Sequence, residues 1–122
     1  MLGTIAQIAM VFHDVPAAAA YYRDVVGLPL QFETGGMAFF DAGGVRLMFT
    51  PPSSPEFDHP NSFLYFRVDG IEAVAATLVD RGVVMQEPPH VVGRNAGIEY
   101  WLAAFQDPEK NWVGLMEERP VP

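Results

Sequence analysis

The feature that most restricts this chain is an internal repeat. With Val15 set against Ile71, an offset of 56, Gln7 falls on Phe63, Ile8 on Leu64 and Met10 on Phe66. Each copy reads as a strand, a helix and three further strands. A pattern that recurs this way implies one supersecondary unit used twice.

In the first copy, residues 4–12 alternate as a strand, with Ile8, Met10 and Phe12 on one face and Ile5, Gln7, Ala9 and Val11 on the other. Asp14 suits an N-cap, and Pro16 sits in the first helical turn, where its missing N–H is harmless. The predicted helix runs to about Val26 with Val15, Ala18, Tyr22 and Val25 as its apolar stripe, and Gly27 stops it. Strands follow at 29–33, 37–41 and 45–50, separated by the hairpin signals Gly35-Gly36 and Gly43-Gly44. Residues 51–61 form a proline-rich linker, expected to be extended rather than packed. The second copy has a strand at 63–68, a helix at 71–81 ended by Gly82, and strands near 83–92, 98–105 and 112–117. The chain therefore divides into module 1 (about 1–50), the linker, module 2 (about 62–118) and a short tail, 119–122.

Composition narrows the partners. Half of the residues are apolar, enough for a folded core, and the net charge of −8 with seven Lys and Arg would repel phosphate backbones. No nucleic acid is expected. No apolar run approaches the ~20 residues of a membrane helix, and no basic leader is evident, so a cytoplasmic protein without a membrane partner is the expectation. The absence of Cys excludes disulfides, thiolate metal sites and a Cys nucleophile.

The segment FQDPEKNWVGLMEE, residues 105–118, combines an Asp-Pro-x-x-Asn turn with a terminal apolar strand. Together with YYRDVVGLPL, FFDAGGVRLMF, YFRVDGIEA and EPPHVV, it resembles the glyoxalase/bleomycin-resistance/extradiol-dioxygenase superfamily, the vicinal oxygen chelate fold, in its small bacterial glyoxalase-like branch. The resemblance covers almost all of residues 4–118. It implies an α+β fold in which two βαβββ repeats form an eight-stranded incomplete barrel, or cup, with the helices outside. It also implies a small organic ligand and a homodimer.

Members of that family that hold a metal place His, Glu or Gln on the first and fourth strands of each module. The matching positions here are Gln7, Met48, Phe63 and Gly114. Only Gln7 could ligate, so the expectation is no cofactor. A divalent metal stays open only through an unusual set of Gln7, His90 and Glu99.

His90 and Glu99 flank the turn at 94–97. A turn centred on 94-95 opposes them directly, and one centred on 95-96 makes them diagonal neighbours on one face. Either register brings a carboxylate within reach of an imidazole, which is equipment for acid–base catalysis, although a structural His–Glu pair at a sheet edge has the same pattern. For substrate binding the candidates are Gln7, Arg46, Met48, Phe63, Tyr65, Trp101 and Met116. Gln7 and Tyr65 offer polar groups, Arg46 a cation for a carboxylate, and the others apolar lining or simply core. Two classes of function follow. One is a binding protein that sequesters an apolar, partly aromatic compound. The other is a lyase, isomerase or dioxygenase in which His90 acts as acid or base and Glu99 orients it.

Overall fold

The computed structural model describes residues 1–122 in two units, Met1–Asn61 and Ser62–Pro122. The first holds β1 (Gln7–Val11), α1 (Val15–Tyr21), a π-helical turn (Tyr22–Val26), β2 (Leu30–Thr34), β3 (Met37–Ala42) and β4 (Val45–Thr50). The second holds β5 (Leu64–Arg67), α2 (Ile71–Asp80), β6 (Glu87–Asn95), β7 (Ile98–Gln106) and β8 (Trp112–Pro120). Strand orders are β1-β4-β3-β2 and β5-β8-β7-β6. In each sheet the first strand runs parallel to the last and the remaining pairs are antiparallel. The fold is α+β, two βαβββ modules with open four-stranded sheets, as the repeat predicts.

In module 1, α1 packs on β3 and β4. Asp14 caps it, its Oδ1 accepting from the Ala17 N–H at 3.0 Å. The core beneath is aromatic. Phe12, Tyr22, Phe40 and Phe49 are all fully buried, and the Phe49 ring lies 4.5–5.0 Å from the other three. Module 2 packs α2 over β6, β7 and β8 with a mainly aliphatic core of Ile71, Leu78, Ala103, Val113 and Leu115, joined by Phe105.

Three local features depart from the sequence expectation. The first helix is α-helical only to Tyr21; the Tyr22 carbonyl then accepts from both Gly27 and Leu28, and Gly27 ends the turn at φ 86°. The linker is tethered and not merely extended. It contains a 3-10 turn at Pro55–Phe57, and the Asn61 side chain both accepts from Val11 N–H (2.8 Å) and donates to Val11 C=O (2.9 Å). β1 is an edge strand, so the Asn61 amide pairs with backbone groups that no strand reaches. Finally, β6 spans Glu87–Asn95, displaced toward the C-terminus from the expected 83–92.

The turn at 107–111 forms as its residues predict. Asp107 is buried, and its Oδ1 accepts from Glu109 N–H (2.9 Å), Asn111 N–H (3.0 Å) and the Asn111 side chain (3.3 Å). Lys110 takes the left-handed position, at φ 66°. This network fixes where β8 begins, and so where Trp112 and Gly114 lie.

Candidate functional site: the helix-free sheet faces

Alternation along each strand gives every sheet one face under its helix and one turned away. In module 1 the helix-free face carries Gln7, Arg46 and Met48. Gln7 is in register with Arg46, and Met48 with both Ala9 and Phe39. Gln7 Nε2 donates weakly to Met48 Sδ at 3.6 Å. Phe39 stacks on Phe32 at 4.5 Å and continues this row. Three sequence candidates are thus brought onto one face.

In module 2 the helix-free face carries Phe63, Tyr65 and Arg67 from the β5 segment, Trp112, Gly114 and Met116 from β8, and Leu102 and Ala104 from β7. Phe63 and Tyr65 stack at 4.5 Å with planes 7° apart, and Phe63 and Trp112 at 5.8 Å and 11°. The three form a column of nearly parallel rings. Each ring is exposed, at 40%, 46% and 37% for Phe63, Tyr65 and Trp112. Trp112, which is not among the sequence candidates, belongs to this column. Its parity with Phe63 across β5–β8 is the signal that identifies it.

His90 and Glu99 do not meet. The β6–β7 turn centres on Ala96 and Gly97, with φ of 52° and 78°, beyond both registers considered above. Arg94 therefore faces Glu99, while irregularities in β6 set His90 opposite Leu102. A residue and its neighbour three positions away on a strand point to opposite faces, so His90 shares the face of Leu102 and Met116 and Glu99 does not. His90 Nδ1 donates to the Pro88 carbonyl at 2.7 Å. Neither an acid–base pair nor a metal set including both residues can form from this register.

Glu99 and Trp101 lie instead on the helix-covered face, which corrects the placement of Trp101 beside Phe63 and Met116. Arg94 pairs with the Glu99 carboxylate at 2.8 and 2.9 Å, and Trp101 Nε1 donates to it at 3.3 Å. These donors, Arg94 first, hold the Glu99 carboxyl below the usual carboxylate range, against a partial desolvation that raises it. The Arg119 guanidinium stands 4.5 Å over the Trp101 ring and also pairs with Glu72 and Glu117. Glu117 in turn accepts from the Gly70 N–H (2.6 Å) and the Ile71 N–H (3.2 Å), capping α2 from a strand 46–47 residues away. Those two backbone bonds, followed by Arg119, lower the Glu117 carboxyl. This network anchors a helix.

The positions where the family resemblance puts metal ligands do not fit a divalent ion. Gln7 in module 1 offers a single amide oxygen, its Nε2 being directed at Met48 Sδ. In module 2 Phe63 offers a ring, and a Cβ built on Gly114 would lie 2.4 Å from Tyr65 Cδ1 and 2.9 Å from Phe63 Cε1. Rings fill the space in which a ligating side chain would begin. No other trio of His, Asp or Glu is arranged to hold a metal.

Two βαβββ repeats with these strand orders define a class of paired-module proteins. The profile of the Glyoxalase/Bleomycin resistance protein/Dioxygenase superfamily matches residues 4–115, and the chain belongs to that superfamily. Among solved structures it is similar to a lactoylglutathione lyase from Agrobacterium tumefaciens, with 21% identity, a TM-score of 0.76, and 95% of this chain and 94% of that one covered. A superfamily member from Sphaerobacter thermophilus aligns at 18% identity and TM-score 0.79, covering 95% and 98%. An integron cassette protein from the mobile metagenome of V. cholerae gives 17%, 0.78, and 96% of both chains. At these identities the likeness is one of fold. No curated protein matches the sequence.

Proposed function

We propose that this protein binds a small organic molecule on the helix-free faces of its sheets, without the divalent metal of its metal-holding relatives. The observation that carries this reading is the aromatic column over Gly114, which puts an exposed apolar surface where a ligating residue would stand. Gln7, Arg46 and Met48 in module 1, and Phe63, Tyr65 and Met116 in module 2, are the residues we assign to ligand contact. Lactoylglutathione lyase chemistry is not extended to this chain, because the family's metal set is replaced, and the acid–base alternative loses its His90–Glu99 pair.

A homodimer and a cytoplasmic location belong to this proposal. No helix is long and apolar enough to cross a membrane, and the acidic surface disfavours nucleic acid. The test is thermal melting against a panel of small organic compounds, with and without chelator, on protein whose metal content has been measured. A ligand-induced rise in Tm that the chelator leaves intact is the expected result. Stoichiometric metal whose removal abolishes binding would contradict the proposal.

A further inference from the structure

We infer that Gly114 is the residue that converts the metal-ligand position of module 2 into a bed for stacked rings, and that the ligand taken there is a planar aromatic molecule that extends the stack. This rests on the binding role proposed above and names its ligand class.

A glycine inside a strand weakens it and calls for a local reason. Gly114 lies inside β8, buried, and its φ is not among the positive ones, so backbone conformation is not that reason. Space is. A Cβ there would stand 2.4 and 2.8 Å from Tyr65 Cδ1 and Cε1, closer than real Cβ contacts come. Tyr65 is in register with Gly114 across β5–β8, and its ring is backed by Phe63 at 4.5 Å, which is backed in turn by Trp112. The ring cannot withdraw along the column. On the other side of Gly114, β7 contributes Ala104, also small and buried. The floor is thus kept low where the rings lie. A ligating side chain at 114 and the column exclude each other, so the glycine is an exchange of one binding device for another.

The surroundings select the ligand. The column ends at Tyr65, with Arg67 next on β5 and Met116 across from Arg67 on β8. A flat π-system set against Tyr65 meets a ring face, a thioether and a guanidinium. All three favour an aromatic molecule over saturated carbon of equal size.

Two measurements test this. The first needs no ligand: Tm and near-UV circular dichroism of Gly114→Ala, Tyr65→Ala and the double variant. Gly114→Ala should lower Tm by roughly 5–10 °C and reduce the aromatic signal, and should lose less than half as much in the Tyr65→Ala background. Equal losses in both backgrounds overturn the inference. If Gly114→Ala does not fold alone, folding of the double variant supports the coupling and its failure overturns it. The second is calorimetry with 2-naphthol and its saturated analogue decahydro-2-naphthol in the presence of chelator. The aromatic probe should bind about tenfold tighter, and Tyr65→Ala should abolish that preference. Equal affinities, or no binding of 2-naphthol, overturn the ligand class while leaving the broader binding proposal to stand on its compound panel.

Discussion

The two modules share strand order, connectivity and a glycine-ended helix, yet their largest ring clusters lie on opposite sides of the sheet. Module 1 buries Phe12, Tyr22, Phe40 and Phe49 between α1 and its sheet. Module 2 fills the equivalent layer mostly with aliphatic side chains and carries Phe63, Tyr65 and Trp112, partly exposed, on the face away from α2. Rings in the first module supply the apolar area that stabilises it; rings in the second lie where burial gains little. A repeated fold can thus devote one copy's aromatic residues to stability and the other's to contact.

The contrast breaks most sharply at Phe49. It touches three buried rings, so Phe49→Ala should remove about 3–5 kcal/mol, and denaturant titration should find the variant largely destabilised. Phe63→Ala, on the exposed column, should change stability by less than ~1 kcal/mol while weakening ligand binding. Comparable losses for the two would erase the distinction. Between these extremes lies Asp107→Ala, which strips the acceptor from buried donors of the turn before β8. A loss of roughly 1–3 kcal/mol is expected, readable in the same titration.

Acid should separate the modules by a smaller step. The helix of module 1 is capped by its neighbour Asp14, whereas that of module 2 depends on Glu117 from β8. Glu117, Glu99 and Glu72 are all held below the ordinary carboxylate range by their donors. The unfolded chain therefore binds these protons more readily. The stability they contribute is complete above the ordinary range and is lost as pH falls through it toward the lowered folded-state values. Trp101 and Trp112 both belong to module 2, so tryptophan fluorescence should report its loosening on acidification, and Glu117→Gln should flatten that dependence. An unchanged profile in the variant would remove Glu117 from the account.

What could be read from the sequence was local or repetitive. The offset of 56 gave both modules, Asp14 its cap, and Asp-Pro-x-x-Asn its turn, because each depends on residues a few positions apart. The β6–β7 register depended on which pair of residues in 94–97 makes the turn. The centre falls on Ala96-Gly97, Ala96 taking a positive φ that its side chain does not advertise. Glu99 and Trp101 take the helix-covered face through their pairing with β8, and the irregularities in β6 carry His90 to the other. Contacts of long sequence separation left no trace either, including the Glu117 cap on α2 and the Asn61 clasp on Val11. At Gly114 the sequence shows only a missing ligand. That the space is taken, and by which rings, is a three-dimensional fact.

The most direct test of the column over Gly114 is nuclear magnetic resonance of the two Gly114 α-protons. With the Tyr65 ring against the glycine, the α-proton in the Cβ position should be displaced upfield by its ring current and show Overhauser contacts to the Tyr65 ring protons. Ordinary strand-like shifts without those contacts would mean that the position is open. The replacement of the metal site by stacked rings would then be wrong.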